Sequence, residues 1–162
     1  VEDMLWLEGT VKGKITIASA DLVNPNIKTS VLLTNNIGYS TLDGSDGLTV
    51  IAEKDILFPP QVPDNMSIRG IFIAQTGYFG RDYYSTGLGY SVSEAYKNSL
   101  TINGSAVSNG RLSTKWLCGN PAVYCSGFNT QNSSYDQTQA NNPPPLTPYM
   151  SNDFRFIQWK EE

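Results

Sequence analysis

The chain has 162 residues, the usual size of one domain, and only 16% of them are charged, against about 25% in an ordinary globular protein. It contains no histidine, which excludes catalytic triads and metal sites that depend on an imidazole. The net charge of −4 argues against a dedicated binder of nucleic-acid backbones. Small polar residues replace the missing charges, with 14 Asn, 16 Ser and 13 Thr. This composition is typical of a β-rich, turn-rich protein of extracellular character.

The N-terminal sequence VEDMLWLEG lacks the basic and apolar regions of a signal peptide, and strand-like sequence begins at Met4. We therefore expect a mature or excised domain of a longer, exported protein. No run of 18 apolar residues occurs, so we expect no membrane contact from this segment.

Five segments share one pattern: an apolar strand, a small residue, a polar turn and another apolar residue. They are residues 14–23, 30–39, 48–57, 70–79 and 100–109. The small residues that we align are Ala18, Thr34, Ala52, Ala74 and Gly104. Such a repeat predicts an all-β fold, a short β-solenoid whose coils stack through backbone hydrogen bonds and which we expect to be right-handed. The alternative is a β-sandwich, which shared residue types at matching positions disfavour.

The pattern predicts a single domain over 1–162, with repeat-like coils over 5–111 and a loop-rich region over 112–162. Insertions are expected at the corners of the coils. One of them follows the fourth repeat over residues 81–97. Near its end, residues 91–98 predict a helical turn with Ser93 as its N-cap. The chain ends in an apolar segment that predicts a terminal strand, in which Phe154, Phe156 and Trp159 can lie against the core.

Cys118 and Cys125 are separated by six residues that include Gly119, Asn120 and Pro121. This short, turn-rich spacing predicts a disulfide that closes a small loop, as is common in exported proteins. Two cysteines without histidine are too few ligands for a soft metal ion, so we expect no metal centre and no cofactor.

Aromatic residues cluster in the insertion that follows the fourth repeat, and cations are interleaved with them. The predicted ligand-binding residues are Arg81, Tyr83, Tyr84, Tyr90 and Tyr96. Tyrosine can stack on sugars or bases while its hydroxyl group forms hydrogen bonds, and loops on a rigid scaffold often carry recognition. The alternative is that these tyrosines form a small core that seals the insertion against the solenoid.

Acidic residues offer two weaker hypotheses. Asp43, Ser45 and Asp46 resemble a calcium-binding loop, although a turn whose side chains bond their own backbone explains them better. A glycosidase or lyase would need two carboxylates at a defined separation, and nothing in the sequence brings two of the loop carboxylates together. These carboxylates are Asp82, Glu94, Asp136 and Asp153.

Several blocks of sequence resemble the C-terminal β-solenoid regions of bacterial pilus-assembly proteins of the PilX-like, minor-pilin type. The blocks are DGSDGLTVIAEKDILFP (43–59), DNMSIRGIFIAQTGYFGR (64–81), NSLTINGSAVSNGR (98–111), and the closing NNPPPLTP with Trp159. The resemblance implies a non-enzymatic domain of a type IV pilus-associated protein at the bacterial cell surface. Its partners would be other pilus or filament subunits.

We therefore expect a structural or adhesive domain that presents loops to neighbouring subunits or to an extracellular glycan or surface ligand. One alternative is a carbohydrate-binding or carbohydrate-cleaving solenoid. The other is a DNA receptor at the pilus tip, which the acidic balance of the chain disfavours.

Overall fold

The computed structural model describes residues 1–24 and 26–148, and the predicted terminal strand with Phe154, Phe156 and Trp159 lies outside this range. Two short helices, α1 (Val92–Ala95) and α2 (Gln137–Asn141), accompany the strands of the described part. The strands are β1 (Leu5–Val11), β2 (Lys14–Ser19), β3 (Val31–Tyr39), β4 (Gly47–Ala52), β5 (Ile56–Leu57), β6 (Asn65–Ala74), β7 (Phe79–Gly80), β8 (Tyr96–Ser108), β9 (Lys115–Cys118) and β10 (Val123–Ser134).

These strands form a β-solenoid of about four turns, which confirms the predicted fold. Parallel pairing between successive coils builds three ladders. The first runs β1–β3–β5–β7, the second runs from β1 and β3 through β6 and β8 to β10, and the third runs β2–β4–β6–β8. The right-handed winding stays a prediction.

Apolar side chains of equivalent residues stack along the inside of the solenoid. In the third ladder, Ile17 pairs with Val50, Val50 with Phe72 and Phe72 with Ala106. Val50 and Phe72 are fully buried, whereas Ile17 is only partly buried because no coil of the described chain covers β2 from the other side. Because strand side chains alternate between two faces, every second residue of a ladder contributes a column to this core.

The register differs from the alignment that the repeat pattern suggests. Ala52 does pair with Ala74, but the residue that precedes them in this column is Ser19 and the one that follows is Ser108. Thr34 belongs to another ladder, since β3 does not pair with β2 or β4. Small residues are frequent throughout the chain, so residue type alone does not distinguish the true register from one shifted by a few residues.

Gly104 pairs with Gly70 at the bend where β6 and β8 pass from the second ladder to the third. Both glycines have positive φ angles, 151° for Gly70 and 136° for Gly104, which side chains rarely adopt. A Cβ atom on Gly104 would overlap the carbonyl oxygen of Gly70. The two coils can therefore stack closely at this corner only because Gly104 has no side chain.

The C-terminal region is more regular than the predicted loop. Residues 127–134 of β10 continue the stack on β8, and β9 pairs with β10 in an antiparallel hairpin. The predicted helical turn also begins earlier than expected, because Ser91 rather than Ser93 is the N-cap. The Ser91 side chain accepts a hydrogen bond from the Glu94 backbone, and the Glu94 side chain accepts one from the Ser91 backbone.

Residues 136–148, which we call the strap, run back from the last coil to the first along the outside of the solenoid. The Asp136 carboxylate accepts a hydrogen bond from Arg69 in the third coil at 3.1 Å. Farther along, the Asn142 carbonyl accepts one from Lys14 in the first coil at 2.8 Å, and the Thr147 hydroxyl lies 2.7 Å from that of Thr49. The strap thus links coils that are distant in sequence and covers the outward face of β4.

Replacing Gly104 with alanine tests whether this corner controls coil stacking. We expect G104A to lower the free energy of unfolding by more than about 3 kcal/mol, because it combines backbone strain with a clash against Gly70. The matched control is G9A, because Gly9 also has a positive φ, 109°, but has nothing within 4 Å of the added Cβ atom. This control should cost only about 1–2 kcal/mol. Equal losses in urea denaturation would contradict the stacking explanation.

Candidate functional site

A close approach between two coils positions the candidate site. Gly80, at the end of β7, forms a parallel bridge with Ser113, and the Arg81 backbone N–H donates to the Ser113 carbonyl at 2.7 Å. A Cβ atom on Gly80 would overlap that carbonyl, so the approach requires glycine. The bridge places the chain after β7 beside the segment that leads into β9, and a cleft opens between them.

The cleft has a volume of about 540 Å³ and mainly aromatic walls. Its backbone floor comes from turns and from the segment before β9. The lining side chains include three aromatic rings, one carboxylate and one guanidinium group. The lining residues are Gly77, Tyr78, Asp82, Tyr83, Gly110, Arg111, Ser113 and Trp116. We call this set the aromatic cleft.

Tyr83 and Trp116 form an edge-to-face pair on one wall of the aromatic cleft, with 5.7 Å between their ring centroids. The indole N–H of Trp116 donates a hydrogen bond to the Arg81 carbonyl at 2.9 Å, which fixes the orientation of the indole ring. Tyr83 is 38% exposed, so part of its ring remains open to solvent. The two rings are inclined by 72° to each other, so a ligand can stack on the face of one ring while it contacts the other.

Tyr78 and Asp82 form the polar part of the wall. The Tyr78 hydroxyl donates a short hydrogen bond to the Asp82 carboxylate, and the Tyr78 backbone N–H donates to Asp55 at 2.9 Å. Burial is the largest cause that raises the pKa of Tyr78 well above its ordinary value, and the hydrogen bond to Asp82 is the next largest. The phenol therefore stays protonated at neutral pH, and the exposed Asp82 carboxylate is an acceptor for ligand hydroxyl groups.

Arg81, which we expected to bind ligand, is fully buried. Its guanidinium group donates to backbone carbonyls of both neighbouring loops, among them those of Pro60, at 3.2 Å, and Glu94. It also lies 4.7 Å from the centroid of the Tyr84 ring. Burial lowers the pKa of Arg81 to about 10, so the group remains charged at neutral pH. Arg81 thus anchors the insertion, and a ligand in the cleft cannot reach its guanidinium group.

The other predicted tyrosines are dispersed. Tyr84 packs against Tyr90 with 4.8 Å between ring centroids, beside Arg81, as the alternative of a small core predicts. Tyr96 packs against Tyr124 with 5.5 Å between centroids. Among the predicted ligand-binding residues, the structure therefore brings only Tyr83 into the aromatic cleft.

The sequence interpretation missed Trp116 and Arg111 as site residues. Both follow the last recognised repeat. Arg111 is the last residue of the predicted coils, and Trp116 lies in the region that we expected to be loop-rich. Continuing the coil spacing beyond residue 111 would have revealed them, because Gly70 pairs with Gly104 and Gly80 with Ser113 at nearly the same sequence distance.

The predicted disulfide between Cys118 and Cys125 is confirmed, with 5.8 Å between the Cα atoms. It joins the end of β9 to β10 across the hairpin turn. The Tyr83 hydroxyl oxygen lies 3.9 Å from the Cys118 sulfur, so the crosslink borders the aromatic pair. It restricts the motion of the hairpin that carries Trp116.

The carboxylates of the acidic loop at 43–47 accept hydrogen bonds from backbone groups of the loop and of its neighbours. Asp46 accepts hydrogen bonds from the backbone N–H groups of Gly13 and Thr41, both at 2.6 Å, and Asp43 accepts from Ser45. The bonds from Ser45 lower the pKa of Asp43 to about 2. Within residues 1–24 and 26–148, no group of three or more His, Cys, Asp or Glu residues is arranged to hold a metal ion.

The candidate catalytic carboxylates have separate structural partners. Asp82 accepts from Tyr78, Glu94 belongs to the capping box of α1, and Asp136 pairs with Arg69. Asp153 lies outside the described residues. Of these, Asp82 is the one that lines the aromatic cleft.

Comparison with known proteins yields no match to a family model, to a curated protein or to a solved structure. In the part of the chain that the structure describes, no helix has the length and apolar character needed to cross a membrane.

Replacing Arg81 tests its role as an anchor. We expect R81A to lower the free energy of unfolding by about 3 kcal/mol or more, because buried carbonyl groups lose their donors. R111A, at an exposed arginine, should change it by less than about 0.5 kcal/mol. Chemical denaturation measures both values. Equal, small effects would contradict the assignment of Arg81 as a buried anchor.

Proposed function

We propose that this chain is a non-enzymatic adhesive module that binds extracellular glycans in the aromatic cleft. The observation that carries the proposal is the fixed Tyr83–Trp116 pair beside the Asp82 carboxylate. The apolar face of a pyranose ring packs well on aromatic rings, while its hydroxyl groups require hydrogen-bond acceptors and donors. The cleft offers both kinds of surface on neighbouring residues.

The rigidity of the aromatic cleft supports recognition of a ligand by its shape. The cleft is formed by coil corners that are connected by backbone hydrogen bonds, and the Cys118–Cys125 crosslink closes the adjoining hairpin. A preformed site loses little conformational entropy when the ligand binds, so modest contacts suffice for measurable affinity. A disulfide is also consistent with an exported domain, since disulfides persist in oxidising compartments.

The arrangement of carboxylates favours binding over hydrolysis. A glycosidase needs a second carboxyl group about 5 Å or about 6.5–9.5 Å from the first, on the other side of the scissile bond. Asp82 is the carboxylate among the residues that line the cleft. We therefore propose a module that retains its ligand unchanged. Association with a type IV pilus, which the sequence resemblance implies, stays part of this proposal.

A glycan array followed by calorimetry tests the proposed function. We expect the wild-type chain to bind at least one class of glycan. W116A should lower the affinity by about tenfold or more, because the ligand loses its stacking partner. Y135A is the matched control, because Tyr135 is 66% exposed and does not line the cleft. Its affinity should equal that of the wild type.

Circular dichroism should show that both variants are folded. The proposal would be wrong if the folded wild type bound no glycan, or if W116A bound as tightly as the wild type.

A further inference from the structure

A second pocket adjoins the aromatic cleft and shares Arg111, Ser113 and Trp116 with it. Its volume is about 480 Å³. Because three residues line both, the two pockets are neighbours, and we call the two together the groove, with Trp116 and Arg111 at their junction. The second pocket, which we call the cationic pocket, is lined by Arg111, Leu112, Ser113, Thr114, Lys115, Trp116, Leu117 and Gln131.

The two ends of the groove differ in charge. The residues that line the cationic pocket include Arg111 and Lys115 and no carboxylate, whereas Asp82 lines the opposite end. This polarity contrasts with the chain as a whole, whose net charge is −4. An acidic group of a ligand would therefore be attracted to the cationic pocket and would point away from Asp82.

The cationic pocket also contains positioned polar groups. The Lys115 ammonium group donates to the Asn129 carbonyl at 2.6 Å and lies 5.2 Å from the centroid of the Tyr124 ring, so it is held near the surface of the hairpin. The Thr114 hydroxyl donates to the Gln131 side-chain oxygen at 2.7 Å. That bond occupies the acceptor of the Gln131 amide, so its NH₂ group is the end that can donate to a ligand.

We propose that the groove recognises an acidic oligosaccharide, with one sugar ring packed against the Tyr83–Trp116 pair and a carboxylate of the next sugar in the cationic pocket. Arg111 suits this role because a guanidinium group can donate two parallel hydrogen bonds to a carboxylate. The inference rests on the proposed function and specifies its ligand class. It also assigns an orientation to the ligand along the groove.

Two forms of one ligand separate the effect of charge from that of shape. The probes are trigalacturonic acid and its fully methyl-esterified form, whose rings are the same but whose carboxylates are masked. Calorimetry should show that the acid binds about tenfold more tightly than the ester at low salt, and that added sodium chloride removes the difference. R111Q and K115Q should each weaken binding of the acid by a larger factor than binding of the ester, because only the acid presents a carboxylate to the two cations.

The controls distinguish the failure of the inference from that of the proposed function. K12Q removes an exposed lysine outside the groove and should bind both probes like the wild type.

If the acid and the ester bind equally, and W116A weakens both, the acidic ligand class is wrong and the glycan-binding function stands. If neither probe binds, or oligothymidylate binds more tightly than the acid, the inference is overturned. Loss of all binding on the glycan array would overturn the proposed function as well.

Discussion

The parallel backbone pairing between successive coils is the constraint on which the rest of this structure depends. It aligns inward side chains such as Val50 and Phe72 into columns, so that each coil is covered by its neighbours. It also brings main chains so close at Gly70–Gly104 and Gly80–Ser113 that a side chain on Gly104 or Gly80 would collide with the backbone of the neighbouring coil. The aromatic cleft exists because the second of these approaches joins the loop after β7 to the segment before β9.

Several contacts outside the core hold the stacked coils together. The strap connects Asp136 to Arg69 and Asn142 to Lys14, so it spans coils that share no direct backbone pairing. Arg81 binds the carbonyl groups of two loops, and the disulfide closes the last hairpin. A cleft surrounded by such contacts keeps its shape without ligand, as the proposed binding by a preformed surface requires.

The fold could be predicted because alternating apolar residues and frequent small polar residues specify short strands and tight corners. The register could not, because small residues such as Ala18 and Ser19 are adjacent and either satisfies the pattern. The disulfide followed from spacing alone. The candidate site was predicted only in part. Tyr83 lies in the cleft, whereas Arg81 is buried. Its guanidinium group donates to backbone carbonyl groups whose positions no sequence pattern reveals. Trp116 lies beside Tyr83 only because of the register in which the coils pair. The sequence did not determine this register, so Trp116 could not be assigned to the cleft beforehand.

The most direct test of the central claim, that coil register assembles a preformed aromatic cleft, is a nuclear Overhauser measurement on the ligand-free chain in solution. Ring protons of Trp116 and Tyr83 should show a cross-peak, since their ring centroids are 5.7 Å apart, and it should persist when glycan is added. The core pair Phe58–Phe79, with 5.4 Å between centroids, provides the internal reference. A cross-peak for the core pair without one for Trp116 and Tyr83 would contradict a cleft built by the register of the solenoid.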